Sequence, residues 1–152
     1  MTIDAIQKEI ANELMALQGD AELITFYLLV MGQRNTGLSL IEKNEQNLVK
    51  GCHTKVWFKV RAEQNRIYLS VDSNTIIIKG LGYLLVRLFN GQTPEDIINT
   101  EMTLLQRSDL KRFLGSQRHD GVGAMIRHVQ SLSCTFLIRK TNSNEKKSLG
   151  NY

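Results

Sequence analysis

Val56-Trp57-Phe58-Lys59-Val60-Arg61-Ala62-Glu63-Gln64-Asn65-Arg66-Ile67-Tyr68-Leu69-Ser70-Val71 is the stretch on which the fold turns. Val56, Phe58 and Val60 alternate with Trp57, Lys59 and Arg61, the period of two that sends side chains to opposite faces of a strand. Ile67, Leu69 and Val71 repeat the alternation after the polar turn Glu63-Gln64-Asn65. The spacing predicts a β-hairpin, with a short third strand over 46–50.

Upstream, the period changes. Ile3, Ile6, Ile10, Leu14 and Leu17 recur every three or four residues, one apolar stripe on a helix that Gly19 breaks. Asp20 is an N-cap for a second helix carrying Leu23, Tyr27, Val30 and Met31, and Gly32 is expected to close it in a left-handed cap. Residues 33–45 are polar without a period and read as a loop. Downstream, Asp72-Ser73-Asn74 is a run of capping residues before a buried helix over 76–89, which Gly91 ends. Thr93-Pro94-Glu95-Asp96 then has the cap, the proline and the acids of a helix start. A short helix at 108–114 and a last helix from about Asp120, with the stripe Met125, Val129, Leu132 and Phe136, complete the pattern. The fold class is α+β: a small antiparallel sheet of about three strands, with helices covering one face.

A chain of 152 residues with a 42% hydrophobic fraction makes one ordinary domain, expected at 1–140, followed by a basic tail at 141–152. The net charge is +4. From Arg139 onward four bases stand against Glu145, a net +3, which leaves +1 for the body. No aromatic-rich RNA motif or helix-turn-helix pattern accompanies that tail, so composition favours a solvated end over nucleic-acid binding. No stretch of roughly 18 uncharged apolar residues occurs, so no membrane span is expected. The opening Met1-Thr2-Ile3-Asp4 lacks a basic n-region, and the expected location is the cytoplasm.

The cysteines are Cys52 and Cys134. In a reducing cytoplasm both stay as free thiols. Gly51 lets the chain turn sharply before Cys52, and Lys50, His53 and Lys55 offer the positive charge that favours a thiolate. On these grounds alone a nucleophile and a small buried structural thiol are both open readings. Cys134 lies half a helical revolution off the last stripe and reads as an incidental surface or edge thiol. No CxxC is present, and adjacent Cys52 and His53 diverge on extended backbone, so no metal site is expected. A thiol hydrolase would need His119 or His128 as base, and spacing selects neither. Arg118 precedes the expected helix start at Asp120-Gly121, where a guanidinium and a helix N-terminus would favour a sulfur anion, but on these residues alone a routine surface charge is the favoured reading.

Four motifs in order carry a resemblance. Asn47-Leu48-Val49-Lys50-Gly51-Cys52-His53-Thr54-Lys55-Val56-Trp57 is similar to the pattern N-x-V-x-G-C-x-S-x-V-W, with Thr54 in place of serine. Asp72-Ser73-Asn74-Thr75 with Ile78-Lys79-Gly80-Leu81 resembles D-S-D-A-x-I-V-K-G-L, with Asn74 in place of the acid. Gly91-Gln92-Thr93-Pro94-Glu95-Asp96-Ile97 and Arg118-His119-Asp120-Gly121-Val122-Gly123-Ala124-Met125 follow. From Asp20 to Val129 the chain resembles the SufE family, sulfur acceptors of cysteine desulfurases in iron–sulfur cluster assembly, whose fold is like that of the IscU scaffolds.

The resemblance implies that Cys52 accepts persulfide sulfur from a SufS/CsdA-type cysteine desulfurase, stimulates that enzyme and passes the sulfur to a SufBCD-type scaffold. It implies a transpersulfidation partner with no metabolic turnover of its own. Pyridoxal phosphate belongs to the desulfurase, and no cofactor is expected here. Gly51 would free the loop, Trp57 and the hairpin would shelter the sulfur, Arg118 would sit near the anion, and Asp72 belongs to the second motif. A homodimer is left open.

Overall fold

The hairpin forms where the alternation places it. A computed structural model of the protein describes residues 1–149. Strands β1 (Val56–Glu63) and β2 (Arg66–Ser73) pair antiparallel from Val56↔Ser73 to Glu63↔Arg66. That register leaves a two-residue loop, Gln64-Asn65, with φ of 51° and 62°. Two successive left-handed residues make the turn whose twist matches that of the strands. The expected third strand at 46–50 reduces to a single bridge, Leu48 to Trp57. A turn at Asn44, whose carbonyl accepts from the Leu48 N–H, confines the pairing on one side, and Gly51, at φ +92°, bends the chain away on the other. The outer edge of β2 is met by a similar bridge, Ile67 to Gln92. Both edges of a two-stranded sheet are thus partly covered.

Helices α1 (Ile3–Met15), α2 (Ala21–Arg34), α3 (Ile76–Phe89), α4 (Pro94–Asn99) and α5 (Ser108–Leu149), with a 3-10 turn at Thr103–Gln106, supply the rest. The α+β class holds: α3 packs on β2, and α5 on β1. Val56, Phe58, Ile67 and Val71 are fully buried, and they share one core cluster with Leu28, Phe89 and Met125 from the helices. Arg87 on α3 clamps α1 through Glu13, at 2.9 Å, and the Tyr27 hydroxyl of α2 donates to the same carboxylate at 2.9 Å. Burial and the Glu13 charge push the Tyr27 phenol well above its ordinary pKa, so it stays protonated as the donor.

Three expected boundaries shift. Gly32 lies inside α2, which continues to Arg34. It is small because α3 crosses there: a Cβ on Gly32 would stand 3.1 Å from the Ile76 carbonyl, and one on Gly80 would collide with the Leu28 carbonyl. Asp72 and Ser73 end β2 and do not cap α3; the N-cap is Thr75. The last helical break is at Gly115, φ +71° and ψ 172°, so the chain is helical again from 116 and Asp120 is already inside α5. Of the expected tail, residues 141–149 continue α5, and 150–152 lie outside the described residues. No helix among the described residues is long and apolar enough to cross a membrane.

The α2–α3 crossing gives a first test. Gly80→Ala forces two backbones apart in a filled core and is expected to cost about 3 kcal/mol or more. Urea unfolding measures it, and an unchanged midpoint would show that the helices can separate freely.

Candidate functional site

The chain between α2 and β1 has little regular structure, so side chains must hold it. Asp72, 5% exposed, is the most deeply buried carboxylate that does so. Its carboxylate accepts from the Leu38 N–H at 2.9 Å and the Ser73 N–H at 2.8 Å, and lies 3.3 Å from both Lys43 and Lys79. Burial raises the carboxyl pKa, but these donors and ammonium groups outweigh it and leave the pKa below the ordinary carboxylate value. Asn35 adds a bond to the Val71 carbonyl at 2.7 Å. Trp57, opposite Asp72 in the register, is buried under the same loop, with the Lys43 ammonium 5.6 Å from its ring centre.

The loop then runs past Val49, which is buried, to Gly51 and Cys52. A Cβ on Gly51 would touch Ala124 of α5 at 3.4 Å, so the loop lies directly on that helix. Cys52 is half-buried. Its thiol donates to the Gly121 carbonyl, Sγ to O 3.3 Å. It shares the wall of a cavity of about 280 Å³ with His53, Thr75, Ile77, Ile78 and Arg118. Burial pushes the thiol above its ordinary pKa, and Arg127 pulls against that shift. The expected activation by Lys50, His53 and Lys55 is therefore not what the environment delivers. Lys50 and Lys55 are exposed, and desolvation against α5 dominates.

The structure brings Cys52 and Arg118 to one cavity, with Gly51 at the bend. Arg118 is exposed, and its guanidinium lies 5.9 Å from the Phe113 ring centre. Trp57 does not line that cavity, because strand alternation turns it away from the helix-covered face. It shelters the loop stem instead. Asp72 likewise acts from outside the cavity, through the loop. His119 binds the Leu105 carbonyl at 2.9 Å, and His128 lines a separate cleft with Lys50 and Arg127. Burial lowers the His128 pKa, while the Phe58 carbonyl draws it the other way. Cys134 is exposed, as its phase on the helix predicts.

Sequence reading missed Arg127, Thr75 and the Gly121 carbonyl. Arg127 sits in no motif and matters only because the loop lies on α5. Thr75 closes the motif Asp72-Ser73-Asn74-Thr75, but nothing in that motif marks its hydroxyl as unpaired. Gly121 does stand in a motif, but its contribution is a backbone oxygen.

The family described as SufE, Fe-S metabolism associated domain, matches residues 8–133, and the chain belongs to that family. Membership implies a role in Fe–S metabolism. Among solved structures, the fold is similar to the solution structure of a hypothetical protein from Thermus thermophilus. The TM-score is 0.72 at 18% identity, covering 88% of this chain and 96% of that one.

The thiol and the carboxylate can each be probed. Removing the Arg127 charge leaves burial unopposed, so Arg127→Ala is expected to raise the Cys52 pKa and slow iodoacetamide alkylation at pH 8 by about two- to fivefold. Cys134→Ser removes the second thiol from the assay, and an unchanged rate would show that Arg127 does not reach the sulfur. Asp72→Ala strands two lysines and two N–H groups and is expected to cost about 2 to 4 kcal/mol, with faster proteolysis in 35–48. The wild type should lose this contribution as pH falls through the depressed Asp72 pKa, because only the carboxylate accepts all four donors. The variant's stability should lack that acid limb.

Proposed function

We propose that the protein is a sulfur carrier: Cys52 takes persulfide sulfur from a cysteine desulfurase and yields it to an iron–sulfur cluster scaffold. The observation that carries the reading is a half-buried thiol on the wall of a cavity of about 280 Å³, tethered by one hydrogen bond to Gly121. A carried sulfur needs room beyond Sγ and shelter from small reductants, and this cavity offers both. Family membership supports the same chemistry.

Loading is an exchange at sulfur. The Cys52 thiolate attacks the outer sulfur of a donor persulfide, R–S–SH. A bond forms between Sγ and that sulfur, the donor S–S bond breaks, and its electron pair leaves on R–S⁻. Cys52 then carries –S–SH, and no external oxidant or reductant is consumed. Unloading repeats the step with an acceptor thiolate attacking and Cys52 leaving.

The raised pKa fits this cycle. Alone, the thiol is protonated and poorly nucleophilic. Docking that lifts the loop off α5 hydrates the sulfur and returns its pKa toward the ordinary value. Reactivity is thus reserved for the complex. The donor in this reading is a SufS/CsdA-type desulfurase of the cytoplasm, which holds its own pyridoxal phosphate and which this protein stimulates. The recipient is a SufBCD-type scaffold. A thiol hydrolase is less well supported, because neither His119 nor His128 lines the Cys52 cavity.

Intact mass without reductant, after incubation with a desulfurase and free cysteine, tests the reading. The wild type should gain one sulfur, and Cys52→Ala none. Equal desulfurase stimulation by Cys52→Ala, with no adduct on the wild type, would leave only a regulatory binding role.

A further inference from the structure

The hydroxyl of Thr75 is closed to solvent and has no hydrogen-bond partner among the described residues. A buried hydroxyl left unpaired is destabilising, and such groups are uncommon in native folds. Other helix starts in this chain show what Thr75 forgoes. Thr2 accepts from the Ala5 N–H at the head of α1, Asp20 from Glu22 and Leu23 at α2, and Thr93 from Asp96 at α4. Thr75 holds the same position at α3 and makes no such bond. The first turn of a 14-residue helix is therefore left without a side-chain cap, and its N–H end carries partial positive charge.

Thr75 lines the cavity that holds Cys52, as do Ile77 and Ile78 of that uncapped turn. The α5 side of the lining differs in kind. There the Gly121 carbonyl accepts the thiol hydrogen at 3.3 Å. An acceptor suits a thiol and repels a sulfur anion. A deprotonated persulfide has no hydrogen to give, so its outer sulfur needs donors; beside the exposed Arg118 and Gln117 of α5, the cavity wall offers one buried and unpaired donor residue, Thr75 at the start of α3.

We propose that the Thr75 hydroxyl donates a hydrogen bond to the outer sulfur of the Cys52 persulfide, while the uncapped start of α3 favours its negative charge and Ile77 and Ile78 keep water away. This rests on the carrier reading and assigns the two states of one cysteine to two walls: thiol on α5, persulfide on α3. The loading step is the exchange written above. Thr75 enters after it, by hydrogen bonding alone.

Thr75→Val removes the hydroxyl and keeps the shape, and Thr75→Ser restores it. Each protein, in a Cys134→Ser background, is loaded from a polysulfide salt with no partner enzyme. Intact mass then follows the sulfur under dithiothreitol. Thr75→Val should lose it about three- to tenfold faster than the wild type, with Thr75→Ser within about twofold. The pH midpoint of persulfide alkylation should rise in the valine variant alone, a change that a merely structural threonine would not cause. Thermal melting of Thr75→Val should match or exceed the wild type, since an unpaired buried hydroxyl is gone. If the valine variant does not fold, Thr75→Ala is held to the same criteria. Equal persulfide lifetimes and equal pH midpoints would overturn the role of Thr75 and leave the carrier intact. A wild-type Cys52 that takes sulfur from neither the salt nor a desulfurase would overturn both.

Discussion

The Asp72 carboxylate sits where three pieces of chain meet, and together they give it four donors. Leu38 and Lys43 come from the long loop, Ser73 from the end of its own strand, and Lys79 from α3. A buried carboxylate with fewer donors would be a liability, because desolvation favours its neutral form. With all four, it fixes a loop whose own backbone pairing is confined to short turns and one bridge to β1. That loop delivers Cys52 to α5, so the geometry of the thiol is set by an ion pair cluster on another part of the sheet.

Much of this was legible before folding. The hairpin, α1, α3 and α4 are written in local signals: alternation, three-four spacing, and the Thr93-Pro94 start. The misreadings share one cause. Gly32 looks like a cap because glycine after an apolar run usually is one, yet here it makes room for a neighbouring helix. Asp120-Gly121 looks like a helix start, while the real interruption is Gly115, directly after the short helix expected at 108–114. Local chemistry was read correctly, and the competing tertiary demand was not visible.

The site divides along the same line. A glycine before cysteine is a sequence fact, and so is the family motif around it. The state of the thiol is not. Lys50, His53 and Lys55 suggested an activated sulfur, but burial against α5 raises its pKa and only Arg127, 75 positions after the cysteine, opposes it. Alternation told that Trp57 and Phe58 face opposite ways; it could not tell which face the cavity would occupy. The protonation preference of the resting thiol is a property of the assembled fold.

The bond between Cys52 and the Gly121 carbonyl spans 69 residues. During synthesis the thiol therefore precedes its cover. At about 5 to 20 residues per second, that interval is on the order of 3 to 14 s on the ribosome. For that time the sulfur has no helix to lie on, and its pKa is that of an open chain. A newborn molecule is thus more reactive at this position than a mature one, and oxidants met during translation have their best access before α5 emerges.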